Sequence, residues 1–334
     1  MGKMFYLYSG ISVLWFLVLC FLPVSGKNNA VFVYENFYGK DVYVGQTTDK
    51  TKWMQAVDDT VPICKLSIPG THDSGAMFGG EMLQTQGEDL RGQLQKGIRA
   101  FDIRLKAVNG KLGVFHSFAF QNIYWEDDVL PLFIDFLTQN PSETLIVSLK
   151  KEGGEIGDYA SLLAKSLRNV LYSDFFVTEF NPQMSLGDCR GKILFLHRDH
   201  VMDDFPGASC HGWDDNATCL LSLQGNDGTT GYAFLQDEYQ YKNGWEAFKK
   251  IFACVRNFDT ICAEPLSSFR WGISYVSATG LPTGTPVVFA NQINKSLVVY
   301  LSENKRKSCG IVFIDFVDTT DGKRLVDYLI ESNM

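Results

Sequence analysis

Two histidines sit where apolar runs end, a placement suited to proton transfer. In Ser67-Ile68-Pro69-Gly70-Thr71-His72-Asp73-Ser74-Gly75 a short apolar segment runs into Pro-Gly, which redirects the chain and leaves His72 and Asp73 at the turn. In Gly113-Val114-Phe115-His116-Ser117 a second histidine directly follows another apolar run. Imidazole titrates near neutrality, so one ring can accept a proton from an attacking hydroxyl while the other donates to a leaving oxygen. Such a pair is the minimum for cleaving a phosphodiester without a metal. Taken singly, either histidine also reads as a loop residue that satisfies backbone groups. Between them, Phe101-Asp102-Ile103-Arg104 alternates, so Asp102 and Arg104 share one side of a strand. A guanidinium there can grip phosphoryl oxygens in bidentate fashion and stabilise a pentavalent transition state. The same two residues also read as a buried ion pair.

These segments, with Pro141-Ser142-Glu143-Thr144-Leu145-Ile146-Val147-Ser148-Leu149-Lys150-Lys151-Glu152, resemble the X domain of bacterial-type phosphatidylinositol-specific phospholipase C. The similarity runs from about residue 57 to the C-terminus. It implies a distorted (β/α)8 barrel that cleaves phosphatidylinositol by attack of the inositol 2-hydroxyl. Diacylglycerol and inositol 1,2-cyclic phosphate would be released, and the cyclic ester slowly hydrolysed. Carried over residue by residue, His72 is the base and His116 the acid. Asp315, in Ile314-Asp315-Phe316, orients the base, and Asp73 supports the acid from the far ring nitrogen. Arg104 matches the phosphate-binding arginine that replaces the calcium of animal intracellular relatives, so no metal or cofactor is expected. Lys150, Arg198, Asp237 and Tyr239 match the inositol pocket. Lys150 is preferred to Lys151 because alternation from Ile146 and Ser148 turns it inward. Without the resemblance, Arg198 and Asp237 read equally as rim salt-bridging residues.

The elements that must hold these groups are legible as short apolar runs: 65–68, 100–105, 112–115, 144–149, 192–196, 232–235, 273–276 and 311–314. Helical patterns follow several of them, as at 127–139 and 159–171. Continuous apolar strands alternating with helices predict a parallel sheet covered by helices. Ionisable groups recur after the strands, at His72, Arg104, His116, Lys150, Arg198, Asp237 and Asp315, which favours a barrel with its site on one rim. A doubly wound sheet would gather them at a single crevice. The expected architecture is one α/β barrel of distorted (β/α)8, TIM type over residues 57–334, preceded by a short β extension at 27–56.

Residues 1–26 carry Lys3, an apolar run from Ile11 to Leu22 and small residues after Pro23, the pattern of a cleaved signal peptide and hence of a secreted protein. The run is shorter than the roughly 20 residues a spanning helix needs. Cys20 would leave with the signal, so Cys64, Cys189, Cys210, Cys219, Cys254, Cys262 and Cys309 would meet an oxidising compartment. The spacings Cys210 to Cys219 and Cys254 to Cys262 predict local bridges. Sequons at Asn216 and Asn294 fit a glycoprotein. A formal charge of -8 argues against nucleic acid and against broad attraction to anionic membrane. The expected partner is phosphatidylinositol, or the glycan-bearing inositol lipid of protein anchors, met by a monomer at a membrane surface. Ala76-Met77-Phe78 with Met82-Leu83, where bacterial relatives carry an apolar helix at the pocket mouth, reads as the contact segment or as core packing. The rival readings are a metal-dependent glycerophosphodiesterase-like or sphingomyelinase-like barrel, and a lipid-binding pseudoenzyme. No acidic cluster beside His72 supports the former, and the presence of both histidines opposes the latter.

Overall fold

The computed structural model describes residues 49–199, 201 and 205–334. The expected signal segment and residues 27–48 lie outside them. In chain order the elements are β1 (Ser67–Thr71), α1 (Leu90–Gln95), β2 (Ala100–Val108), β3 (Lys111–His116), β4 (Ala119–Tyr124), α2 (Leu130–Gln139), β5 (Leu145–Lys151), α3 (Ile156–Leu167), α4 (Leu186–Cys189) and β6 (Ile193–His197). Then come β7 (Ala208–His211), β8 (Thr218–Gln224), β9 (Thr230–Gln236), α5 (Ala247–Cys262), β10 (Trp271–Tyr275), α6 (Pro286–Glu303), β11 (Gly310–Ile314) and α7 (Thr320–Glu331).

The strands close into a ring in the order β1-β11-β10-β9-β8-β7-β6-β5-β2, with β2 returning to β1. Neighbours are parallel except around β8, which runs against both β7 and β9. The expected barrel is therefore present, but β7 and β8 bridge β6 to β9 where a helical crossover would otherwise lie. The seam between β1 and β2 needs small residues. A Cβ on Gly70 would stand 2.8 Å from that of Ala100. Pro69 is tolerated in β1 because its nitrogen faces the β2 side below the first paired residues, while its carbonyl still accepts from Arg99 N. Strands β1, β10 and β11 are buried along their whole length, as expected for strands covered on both faces.

Four expectations change. Strand β3 is not a barrel stave; it forms an antiparallel hairpin with β4 that leans on the extended end of β2. The described end of the proposed β extension is a 3-10 helix, Lys50–Ala56, which buries Trp53 and Met54. Neither expected disulfide forms. Cys254 and Cys262 lie eight residues apart on α5, about 12 Å along a helix. Cys210 pairs with Leu223 of β8, four residues along the strand from Cys219. All seven described cysteines are free thiols, and those of Cys262 and Cys309 hydrogen-bond to each other. Finally, Asn294 is 1% exposed inside α6, so its amide is closed to glycosylation in the folded chain. Asn216 is half-buried, and its Oδ1 accepts from the backbone of Tyr239 and Gln240.

Candidate active site

Strand β1 ends at Thr71 and its pairing continues one residue further, His72 N donating to Ile314 O at 3.1 Å. Beyond it Asp73 adopts φ +41°, a left-handed conformation uncommon for a residue with a side chain. Ser74 supports the turn: its Oγ accepts from Asp102 N at 2.8 Å and donates to Thr71 O. Asp102 Oδ2 accepts from Asp73 N at 3.1 Å. The turn is therefore wired to β2, the strand that carries Arg104.

The two imidazoles face each other edge-on, their centroids 6.3 Å apart. His72 Nδ1 lies 2.8 Å from Asp315 Oδ1, and its Nε2 lies 2.9 Å from Arg104 Nη2. A guanidinium can only donate, so Nε2 must hold a lone pair and Nδ1 must carry the proton, given to Asp315. His116 has the opposite surroundings. Its Nδ1 lies 2.6 Å from Leu83 O, and its Nε2 3.2 Å from Asp73 Oδ2. Two acceptors suit the doubly protonated ring.

Electrostatics agree for His72. Burial, reinforced by the Arg104 guanidinium, holds His72 well below the ordinary imidazole range. Burial likewise pushes the Asp315 carboxyl up, which raises its proton affinity and strengthens its hold on the Nδ1 proton. Asp73 is pushed up to about 6 by burial, against the pull of Arg104 and His116. Burial also opposes the charge of Asp102, but Arg104 and Arg198 outweigh it and keep that carboxyl below the usual range.

The ligand atoms of His72, Asp73 and Asp102 lie close enough together to hold a metal ion. Arg104 occupies that position. Its Nη1 is 2.9 Å from Asp73 Oδ2, and its Nη2 is 3.1 Å from Asp102 Oδ2 as well as bonded to His72. A fixed monocation thus stands where a divalent ion would be bound.

The family model "Phosphatidylinositol-specific phospholipase C, X domain" matches residues 60–199. A 1-phosphatidylinositol phosphodiesterase of Listeria monocytogenes is 29% identical, across 95% of this chain and 96% of its own. Along nearly its whole length the chain is thus similar to bacterial phosphatidylinositol phosphodiesterases, and its 60–199 segment to their X domain. A 1-phosphatidylinositol phosphodiesterase of Staphylococcus aureus (strain Newman) is 27% identical over 84% of this chain and 93% of its own. The solved phosphatidylinositol-specific phospholipase C of Listeria monocytogenes superposes with a TM-score of 0.69 at 27% identity, covering 86% of this chain and all of that one. A Staphylococcus aureus structure at 22% identity gives 0.74 over 85% of this chain and 99% of that one, a likeness of fold.

The structure gathers His72, Asp73, Arg104, His116 and Asp315 into one cluster. It departs from the expected pattern at Asp73, which meets the near nitrogen of His116, while the far nitrogen is held by the Leu83 carbonyl. Lys150 is paired in register with Arg104 and lies 3.5 Å from Glu152, whereas Lys151 turns away to Gly154 O. Arg198 donates to Tyr275 OH at 3.2 Å and reaches Asp237 Oδ2 at 3.5 Å. Tyr239 stands at the rim, its hydroxyl on Asp215 Oδ1 at 3.0 Å.

Three pocket residues were given no role by the sequence. Trp213 lies under the Arg198 guanidinium at 3.9 Å and donates its indole N–H to Asp237 Oδ2. Tyr275 packs edge-on to His72 with centroids 5.8 Å apart. Glu152 accepts from Ser117 N and holds Lys150. Tyr275 closes an apolar strand and reads as core. Trp213 sits in a loop between two strands that carried no clear pattern.

Proposed function

We propose that this chain is a metal-independent phosphatidylinositol-specific phospholipase C working by paired acid–base catalysis. The reading rests on one observation above the others: hydrogen-bond partners hold His72 as a neutral ring whose Nε2 lone pair accepts from Arg104, and His116 as a ring with both nitrogens facing acceptors. Those are the starting states of a base and an acid. A phosphate entering between the rings offers Arg104 anionic oxygens, and Arg104 releases His72 Nε2. The inositol 2-hydroxyl then gives its proton to Nε2 as its oxygen bonds to phosphorus. The phosphorus–glyceride bond breaks, and His116 Nε2 delivers its proton to the departing oxygen. Diacylglycerol and inositol 1,2-cyclic phosphate are the products. Arg104 stabilises the added charge in the transition state. Lys150, Arg198, Asp237 and Tyr239 hold the ring hydroxyls, with Trp213 as a flat support.

Phosphatidylinositol as substrate follows from the Listeria and Staphylococcus relatives, named for that lipid. Export through the 1–26 segment belongs to the same reading and rests on sequence alone. The test is phosphorus NMR of phosphatidylinositol vesicles with the protein and excess EDTA. The cyclic phosphate should form, and His72→Ala and His116→Ala should each abolish it with the fold intact. Turnover that appears only after calcium or magnesium is restored would overturn the metal-free reading. Near-wild-type rates in either histidine variant would overturn the assignment of roles.

A further inference from the structure

Two buried side-chain amides lie directly behind the base and its carboxylate. Gln86, fully buried, donates both hydrogens of one nitrogen to backbone carbonyls of different strands: Nε2 is 3.0 Å from His72 O and 2.8 Å from Ile314 O. Asn294, on α6, donates from Nδ2 to Asp315 O at 2.9 Å. Both amides leave their oxygens, Gln86 Oε1 and Asn294 Oδ1, buried without a hydrogen-bond partner. Unsatisfied buried acceptors disfavour the folded state, and so call for an explanation. The backbone here is also held in an unfavourable state. Phe316, next to Asp315, has φ +51°, and its N–H bonds to Thr85 O at 2.8 Å.

We infer that Gln86 and Asn294 are positioning residues for the base and its carboxylate, Gln86 stapling the His72 turn to the end of β11 and Asn294 tying Asp315 to α6, so that His72 Nδ1 and Asp315 Oδ1 meet at 2.8 Å. The inference rests on the proposal that His72 is the base. Backbone pairing reaches this junction through one bond, His72 N to Ile314 O, because β1 and β11 end at Thr71 and Ile314 and the side chains that must meet lie just beyond. The staple crosses that gap. Gln86 accordingly supplies only donors where two carbonyls already have other partners: Ile314 O accepts from His72 N, and His72 O accepts from Thr85 Oγ1 at 3.3 Å. Its removal should therefore cost geometry and little stability.

The experiment compares Gln86→Met and Asn294→Leu with the wild type. Each should lower kcat ~10–100-fold, as expected when a reacting group is misplaced by up to about 1 Å, with KM within twofold. The Gln86→Met thermal midpoint should not fall. The proton NMR signal of His72 Nδ1–H, bonded to Asp315, should weaken or broaden in both variants. The signal needs no turnover, so it tests the staple even if the wild type leaves phosphatidylinositol uncleaved, a result that would instead count against the proposed function. An unchanged His72 signal, kcat within threefold of wild type in Gln86→Met, or a kcat loss matched by a lowered midpoint in that variant would each overturn the inference.

Discussion

Asp73 touches three groups at once: Arg104 at 2.9 Å, His116 Nε2 at 3.2 Å and His72 Nε2 at 3.5 Å. An exposed aspartate stays ionised down to about pH 4. Burial pushes this one up to about 6, so it takes up a proton as the pH falls through that value and its attraction for the His116 imidazolium is lost. The acid limb of the kcat/KM profile should therefore lie near pH 6. Asp73→Asn should lower kcat/KM and remove that limb; a profile with the limb unmoved in the variant would assign it elsewhere. Arg104 offers a second check at this scale. It grips Asp73 through Nη1 and both Asp102 and His72 through Nη2, a fork that an ammonium cannot copy. Arg104→Lys should cost ~10²–10³ in kcat, about 3–4 kcal/mol of transition-state stabilisation. A loss expressed only in KM would make Arg104 a ground-state binding group. His72, Arg104 and Asp315 were legible because strand periodicity and polar punctuation coincide at them. The Asp73 geometry was not, because nothing in the sequence marks the left-handed turn that Asp73 adopts.

The loop after β1, read as the lipid-contact segment, also reaches His116. Its Leu83 carbonyl holds His116 Nδ1, while Phe78 and Met82 are 50% and 54% exposed a few residues away. Ala76 is buried, and the 76–86 segment is built from turns where an apolar helix was anticipated. Placing half-exposed Phe and Met side chains in the interface should contribute about 1–2 kcal/mol each. Phe78→Ser and Met82→Ser should each weaken vesicle binding ~10-fold, with cleavage of a short-chain soluble substrate held within threefold. Vesicle sedimentation separates the two effects, and equal loss on both substrates would return these residues to core packing. The strands missed in the sequence, β4, β7 and β8, share a cause. Their residues alternate irregularly around Ser, His, Gln and Thr, since one face meets solvent or the hairpin next door. The staves β1, β6, β10 and β11, buried along their whole length, have no such ambiguity.

Across the whole molecule, chemistry and stability occupy opposite ends of the barrel. At the end away from the histidines, fully buried Arg99 pairs with Glu143 at 2.8 Å. It also donates to the carbonyls of Leu94, Ile98, Lys50 and Thr51. Trp53, 1% exposed, adds an indole bond to Gly97 O at 3.0 Å. The helix Lys50–Ala56 is thus a plug bonded to the foot of β2. The apparent boundary near residue 57 reflects where motif resemblance begins, because plugs are held by packing and backbone acceptors that carry no motif. Trp53→Ala should remove about 3–5 kcal/mol, which for a chain of this size lowers the thermal midpoint by on the order of 10 °C. Glu143→Ala strands a buried guanidinium and should cost a similar ~3–5 kcal/mol. Neither change reaches the histidine rim, so kcat measured well below either midpoint should stay within twofold of wild type. A kcat that fell together with stability would mean that the plug sets the spacing of β1 and β2 at the site, and would move this end of the barrel from support into catalysis.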